Sequence, residues 1–546
     1  MTDVQPGTLD SDDATGQGDD SGDNEARLRR LIDLGIALSA ERDHNRLIER
    51  ILLEAKDLYD ADGGTLYLLK NGALNFEIMR NDTMNIAIGG TTGVDIPFPP
   101  LSLHDEDGNP NHKNVASHVA LSREVVNIAD AYEVDRFDFS GAKKFDESTG
   151  FRSQSFLTVP LTNYEGDVLG VLQLINAREG GKVVPFGRGR QALIEALASQ
   201  AAVASDNQML IEAQRELLES FIKLIASAID AKSPYTGGHC QRVPVITEML
   251  AEAACVAEDG PYKEFNLNEE ELYELSIAAW LHDCGKVTTP EYVVDKSTKL
   301  ETIYDRVETV RTRFEVAKRD AEIDYLKALQ AADADPVELK ATFDARIARL
   351  DEDWAFLEVA NIGGEFMSDE HQARIHEIAA MTWQNNGKTE NFLSENEVYN
   401  LCIARGTLTA EEREVINNHI VMTVEMLEQL PFPKHLKKVP EYAGGHHEKM
   451  DGTGYPKGLT ADEMSVPARM MAIADIFEAL TASDRPYKKA KTVSESLKIM
   501  GFMVKDAHID PDLFQLFLQA DIPRTYAEAN LLPDQIDDWD PADYLN

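Results

Sequence analysis

Between Arg190 and Lys232 the chain runs without a Pro or a Gly, and Leu210, Leu217, Phe221, Leu224 and Ala228 approximate a three-to-four spacing. The regular conformation open to such a stretch is a long helix. It is read as a connector over 189–232, a coiled coil that pairs two copies as a homodimer, against the alternative of a helix buried inside one domain. This stretch divides the chain. Strand-like runs fall before it, at 65–69 (TLYLL), 155–161 (SFLTVPL) and 170–176 (GVLQLIN), near turn residues such as Gly63-Gly64 and Glu165-Gly166. After Ser233 the pattern is almost purely helical. A length of 546 residues agrees with this division, since about 150 residues per domain gives three or four units.

Apolar residues recur at helical spacing from Glu25 to about Leu58 (Leu28, Leu31, Ile32, Leu34, Ile36, Leu38). Helix, strands and helix within 26–188 imply an α+β domain of sensor size. Residues 1–25, rich in Asp, Gly and Ser, read as a disordered acidic tail. The C-terminal half reads as an all-α domain over 233–300 and 406–520. A highly charged segment at 301–405, with two long helical patterns around Pro336, is expected as an inserted helical hairpin. The insertion carries no visible chemistry and is read as structural or as a surface for a protein partner. Residues 521–546 are expected as a C-terminal tail.

Charge narrows the partners. The chain holds 53 basic against 96 acidic residues, a formal net charge of −43. That field repels nucleic acid and anionic membranes, so neither is expected as a partner. A small anionic substrate needs a local cationic pocket or metal ions. There is no run of 18 apolar residues and no basic-then-apolar leader, so neither a membrane span nor a signal peptide is expected. Cys240, Cys255, Cys284 and Cys402 show no CxxC spacing and are read as reduced thiols of a cytoplasmic protein.

Histidine-bearing segments mark the C-terminal half: GGHCQRV (His239), WLHDCGKV (His282, Asp283, Lys286), INNHI (His419) and GGHHEKMDGTGYP (His446, His447, Asp451), with Asp475 in AIADIFEAL. Neutral imidazole and carboxylate are ligands for iron, manganese and zinc, and a carboxylate can bridge two ions. Five histidines with Asp283 and Asp475 exceed what one ion needs and suit two ions about 3.5–4 Å apart. Each residue alone has a plainer reading. His419 on an apolar helix can be a core residue, and buried Asp475 can pair with any cation.

His282-Asp283 followed by Gly285-Lys286 resembles the HD signature of metal-dependent phosphohydrolases, and HHEKMDGTGYP resembles the extended HD-GYP signature. GGHCQRV and ADIFEALTASDRPY match the flanking segments of that family, so the resemblance covers about 230–300 and 406–500. HD-GYP proteins are cyclic di-GMP phosphodiesterases of bacterial signalling. The resemblance implies one ion on His239, His282, Asp283 and Asp475, and a second on His419, His446 and His447, with Asp283 bridging. The ions implied are iron or manganese, with magnesium, nickel or zinc as alternatives. A hydroxide between them attacks phosphorus, and Lys286 serves as cation or proton donor.

In the same reading Asp451 and Gly452 form a turn, Gly452 and Gly454 let the backbone approach the ligand, and Tyr455-Pro456 fix the loop beside the pocket. Arg485 contacts phosphate, with Lys488 adding positive charge. Some family members bind a third ion through a glutamate four residues before the first histidine. That position is Tyr235, so two ions are expected. The resemblance implies hydrolysis of cyclic di-GMP to linear pGpG and on to GMP. The alternatives are another cyclic dinucleotide as substrate, or a non-catalytic module that binds a cyclic dinucleotide or a partner.

The first domain resembles a GAF domain through NIADAYEVDRFDFSGAKKFDESTGFRSQSFLTVPL running into GDVLGVLQLIN. GAF domains that bind cyclic nucleotides carry Asn-Lys after the last strand, then Phe and, after three residues, Asp-Glu. Asn176 and Phe186 fit, but Ala177, Arg190 and Gln191 break the ion pair. A different small ligand, or a structural role in the dimer, is expected. His104, His112 and His118 lie in polar sequence and are read as solvated.

Overall fold

The computed structural model describes residues 29, 32, 33, 35–38, 40, 41 and 43–545, apart from 106, 188–190, 233–237, 333, 334, 365 and 484–489. The expected acidic tail and Tyr235 lie outside the described residues. The chain forms two compact units, one up to Leu217 and the other from Leu218.

In the first unit the expected helix from Glu25 to Leu58 is interrupted. The described residues between 29 and 40 are mostly helical, 41 and 43 are not, and α1 then spans His44–Tyr59 with Asp43 as its N-cap. The Asp43 carboxylate accepts from Arg46 N, one of the amides a helix start leaves without a partner. An antiparallel sheet follows, in order β3-β2-β1-β7-β6-β5, with β1 Ala61–Lys70, β2 Ala73–Asn81, β3 Ile86–Gly89, β5 Val126–Ile128, β6 Phe156–Thr162 and β7 Val168–Glu179. Short β4 (Leu101–Ser102) and β8 (Lys182–Val184) extend it. Gly63-Gly64, expected as a turn, lies inside β1 opposite Ile175 and Leu174. The reversal occurs instead at Asn71-Gly72, where both residues take positive φ.

Both faces of the sheet are covered. Leu47, Ile51 and Leu52 of α1 pack with Leu66, Leu172 and Leu174, joined by Ile194, Leu197 and Ala201 from the start of the long helix. On the other face Tyr67, Leu74 and Val171 meet Ala116 and Val119 of α2 (Val115–Ser122). A last helix, α3 (Ser140–Thr149), precedes β6.

The long helix is present as α4, Gln191–Lys232. In the second unit its last turns bury Ile222, Ala226 and Ile229 among α5 (His239–Cys255), α6 (Glu269–Leu281), α12 (His419–Glu428), α13 (Val439–Gly444) and α14 (Val466–Thr481). Residues 301–405 are more than a hairpin. They hold α7 (Val307–Ala328), α8 (Pro336–Ile362), α9 (Asp369–Ala379), a ribbon of β9 (Thr382–Asn385) and β10 (Lys388–Asn391), and α10 (Glu395–Leu401). This segment has its own core around Val310, Phe314, Leu357, Ile375, Phe392 and Leu401. α11 (Ala410–Asn417) leads from it into α12.

The expected tail at 521–546 is packed structure. After α15 (Val493–Lys505) and α16 (Pro511–Gln519), α17 (Ile522–Asn530) buries Ile522 and Tyr526 in the same core as α5 and α14. Gln535 donates to Thr481 O at 2.7 Å. The driving force is apolar burial that a read of polar endings in DQIDDWDPADYLN conceals.

Candidate metal centre

The helix ends bring the histidines together. His239 opens α5, His282 follows α6, His419 opens α12, and His446-His447 lie just past α13. Asp475 projects from the middle of α14. Two groups result. His239, His282 and Asp283 place ligand atoms within 4.8 Å of one another, and so do His419, His446 and His447. Asp475 joins the first group, with Oδ1 3.3 Å from His239 Nε2 and 3.7 Å from His282 Nε2.

Asp283 stands between the groups. Its Oδ2 lies 3.1 Å from His239 Nε2 and 3.3 Å from His282 Nε2, while Oδ1 lies 3.3 Å from His419 Nε2. Gly285 permits this closeness. A Cβ there would come 1.9 Å from His419 O, so a side chain would push the turn after Asp283 off α12. In its place Gly285 N donates to Thr423 Oγ1 at 2.9 Å.

The imidazoles are oriented from behind. His282 Nδ1 donates to Ala279 O at 2.7 Å, His419 Nδ1 to Ile416 O at 2.5 Å, and His446 Nδ1 to Ala443 O at 2.7 Å. Each bond goes to the carbonyl three residues earlier, which fixes the tautomer and turns the Nε2 lone pair inward. His239 uses a carboxylate instead, with Nδ1 on Glu478 Oε2. Arg242 holds the other oxygen, Nε to Oε1 at 2.7 Å. His447 is backed by the Tyr455 ring, stacked at 4.8 Å and 20°.

Two buried polar atoms of the site have no hydrogen-bond partner: Asp283 Oδ1 and His446 Nε2. Such atoms cost free energy unless something else satisfies them. Asp283 Oδ1 lies beside His419, and His446 belongs to the same ligand group; a divalent cation is the partner that this donor set fits.

The groups differ electrostatically. Burial, with His447 and His282 nearby, holds His446 well below the usual histidine range, and burial pushes His447 down to about 4. Burial also opposes protonation of His239 and His282. Hydrogen bonds to Asp283, Asp475 and Glu478 outweigh it at His239, which lies well above the usual range, and the Asp283 charge lifts His282 to about 9. Burial alone would raise Asp283, but Lys286 and the histidines bring it well below the usual carboxylate range. A cation taking the place of the ring protons satisfies the same carboxylates, so binding in the first group releases protons.

Lys286 places Nζ 2.5 Å from Asp283 Oδ2. Asp451 is exposed, and its carboxylate accepts from Thr453 N at 2.9 Å and Thr453 Oγ1 at 2.7 Å. The expected turn is present, with Gly452 at φ 76°. The close approach made by Gly454 is to its own chain, since a Cβ there would meet Lys449 N at 2.4 Å. Glu448, buried beneath the loop, accepts from Lys457 N at 2.7 Å and Leu459 N at 2.9 Å. The Tyr455-Pro456 peptide is cis. Arg485 and Lys488 lie outside the described residues.

Sequence reading missed Glu478, Arg242 and Glu448. Glu478 had a signal: it follows Asp475 by three residues in the otherwise apolar AIADIFEAL, which places both acids on one helix face.

In the first unit Asn176 is a latch, accepting from Gln154 N at 2.8 Å and donating to Arg152 O at 2.7 Å. His118 is not solvated as expected. It is buried on α2, with Nδ1 2.9 Å from His112 Nδ1 and Nε2 3.2 Å from an Arg136 nitrogen, because the His112 and Phe137 rings pack over it.

The GAF domain family profile matches residues 43–204, and the HD domain profile matches 369–513, which takes in His419, His446, His447 and Asp475. The chain carries a GAF domain and an HD domain. Among curated relatives of this GAF–HD chain, a 3′3′-cGAMP-specific phosphodiesterase 3 of Vibrio cholerae is 40% identical over 319 residues, covering 58% of this chain and 40% of that one. A cyclic di-GMP phosphodiesterase of Pseudomonas aeruginosa is 45% identical over 75 residues, 14% of this chain and 17% of that one. A cyclic di-GMP phosphodiesterase of Thermotoga maritima is 28% identical over 186 residues, 31% of this chain and 50% of that one. The chain thus matches half or less of the length of each. A crystal structure of a GAF domain/HD domain protein from Geobacter sulfurreducens is similar at 18% identity with a TM-score of 0.23, covering 32% of this chain and 98% of that one. Among the described residues, no helix is long and apolar enough to cross a membrane.

Proposed function

We propose that the HD domain hydrolyses a phosphodiester bond of a cyclic dinucleotide, with one divalent ion in each ligand group and the GAF domain as the regulating sensor. The observation that carries this reading is Asp283, which offers one carboxylate oxygen to each group. The partnerless Asp283 Oδ1 and His446 Nε2 support it further. Two divalent ions so held supply an activated water and positive charge at the reacting phosphorus.

The protein's own groups do the rest. The Nδ1 bonds of His282, His419 and His446 hold their Nε2 atoms in place, so little ring reorganisation is needed on binding, and His282 gives up its proton as it binds. Lys286, anchored on Asp283, offers a cation to a phosphate oxygen or a proton to the departing sugar oxygen. Once His239 and His282 have released their protons, Asp283, Asp475 and Glu478 against Lys286 and Arg242 leave one net negative charge. Two divalent ions turn that into a positive site, the local condition a dianionic substrate needs in a chain of net charge −43.

The substrate in this reading is cyclic di-GMP, opened to pGpG and then to GMP. A second reading, 3′3′-cGAMP, draws support from the Vibrio cholerae relative, whose alignment covers the larger share of this chain. The test is hydrolysis of both dinucleotides by protein purified anaerobically with Fe(II) or Mn(II), with products separated by chromatography. Linear dinucleotide or GMP is expected from wild type and not from Asp283→Ala, which should also lose metal. Turnover retained by Asp283→Ala overturns the shared-carboxylate site, and the faster dinucleotide decides the substrate.

A further inference from the structure

The last turn of α4 touches the backbone beside two of the segments that supply the first ligand group, at His239 and just after Asp283. Lys232, the final residue of α4, directs Nζ at three carbonyl oxygens: Val287 at 2.5 Å, Thr289 at 2.6 Å and Lys286 at 3.2 Å. An ammonium has three N–H donors and no acceptor, so this set saturates it. Those carbonyls belong to the turn Cys284–Thr288 and its cap Thr289, which begins directly after Asp283 and contains Lys286. Asp230, two residues before Lys232 and buried, accepts from Gly238 N at 3.1 Å and Cys240 N at 3.3 Å. These amides flank His239 at the start of α5, where a helix leaves its N–H groups without internal partners.

We propose that Asp230 and Lys232 are positioning residues for the metal centre: together they set the spacing between His239 and the Asp283–Lys286 turn, and they make that spacing depend on where α4 ends. The catalytic part of this inference rests on the function proposed above. Asp230 holds the amides on either side of His239, and Lys232 holds carbonyls three to six residues beyond Asp283. The distance they control is the 3.1 Å between His239 Nε2 and Asp283 Oδ2. Ligand distances in metal sites are tight, to within about 0.2 Å. A misplacement of about 1 Å in a catalytic group costs on the order of 100-fold in rate. A small slide or turn of the end of α4 is therefore enough to change how the first group would hold an ion.

The experiment compares full-length wild type with Lys232→Met, Lys232→Arg, Asp230→Ala and Asp230→Asn. It measures manganese bound per chain, kcat and KM on cyclic di-GMP and 3′3′-cGAMP, melting temperature and amide hydrogen exchange. Lys232→Met keeps the stem and loses the three bonds. It should lower kcat about 10- to 100-fold with KM little changed, and speed exchange at 284–289. Lys232→Arg should recover part of kcat, since a guanidinium still reaches carbonyl oxygens. Asp230→Ala should speed exchange at 238–241 and weaken manganese retention, with Asp230→Asn intermediate. If the variants melt earlier but keep wild-type kcat per bound ion and wild-type exchange at both segments, the residues are only structural and the proposal falls. If wild type hydrolyses neither dinucleotide, the functional reading fails separately. Manganese retention and local exchange then decide the positioning role, and no change in either overturns it.

Discussion

Glu478 accepts from His239 Nδ1 with one oxygen and from Arg242 with the other, and it is almost wholly buried. Its charge raises the basicity of His239 and holds the ring in one orientation, so replacing Glu478 by Gln should weaken metal binding about 10- to 100-fold while leaving His419, His446 and His447 in place. Manganese titration followed by paramagnetic resonance reads this directly, and unchanged affinity for both ions sinks it. Lys286→Ala is the complementary case. Metal content should persist while kcat falls about 100- to 1,000-fold, the scale of one preorganised electrostatic contact. Loss of metal as well would make Lys286 a structural counter-ion of Asp283. These residues also mark what was legible. The five histidines and Asp283 could be read because their types at motif spacing suit one chemistry. Glu478 had only its spacing from Asp475 as a signal, and Glu448, Asp230 and Lys232 had none, because an acid or lysine reads as solvated surface until the fold buries it.

Lys299 is the same problem with the opposite sign. It is fully buried, and its ammonium donates to Leu401 O at 2.9 Å and Ile403 O at 2.8 Å. Burial pulls its pKa from 10.5 down to about 8. The unfolded chain therefore holds this proton over a range where the folded chain has released it. Between pH 8 and 10.5 the unfolded state binds more protons, so this residue's contribution to stability improves as pH rises, by about 1.4 kcal/mol per unit. Below about pH 8 the cost of the buried charge is present in full. Denaturant unfolding of wild type and Lys299→Met across pH 7 to 10 isolates the effect, because other groups cancel in the difference. Wild type should gain on the variant as pH rises above about 8, and a constant difference rejects the assignment.

At the scale of elements, α4 was visible in the sequence because nothing in 190–232 breaks a helix. The strands were harder. β1, β6 and β7 were found by their β-branched and aliphatic runs, but β2, β3, β5 and β8 mix polar and apolar residues and are fixed by their pairing partners. The ribbon β9–β10 carries little apolar surface, yet Asn386-Gly387 takes positive φ at both positions, and that dipeptide was the available signal. α4 also carries a testable surface. Val203, Leu210, Leu217 and Leu224 repeat at seven residues and are 41%, 57%, 57% and 63% exposed. A heptad of exposed aliphatic residues is the pattern that a second copy of the same helix covers. Sedimentation velocity should give a dimer for wild type and a monomer for the doubly substituted Leu210→Glu, Leu217→Glu protein. A monomeric wild type removes the coiled coil.

At the scale of the molecule, the second unit contains two separate apolar cores. The core behind the metal centre draws on α4, α5, α6 and α12 to α17 and, among the described residues, takes none from 301–405. The inserted segment packs around Phe314, Leu357 and Phe392 with Leu300 at its base. Its base is closed by polar bonds, Lys299 N to Asn361 O at 2.8 Å and Lys296 Nζ to Glu412 Oε2 at 2.7 Å. Separate cores imply separable folding, since burial in one does not depend on the other. Replacing 301–405 by a short Gly-Ser linker should therefore leave a folded protein with the same manganese content as the full chain. The excision removes both carbonyls that receive the Lys299 ammonium, so the shortened chain needs Lys299→Ala to avoid a buried cation without acceptors. With that change, two ions per chain and hydrogen-exchange protection across α5, α6, α12 and α14 are the expected result. A shortened chain that binds neither ion would show that α9 to α10 supports the centre. That outcome would give a structural reason for the HD domain profile to begin at residue 369, inside the inserted segment.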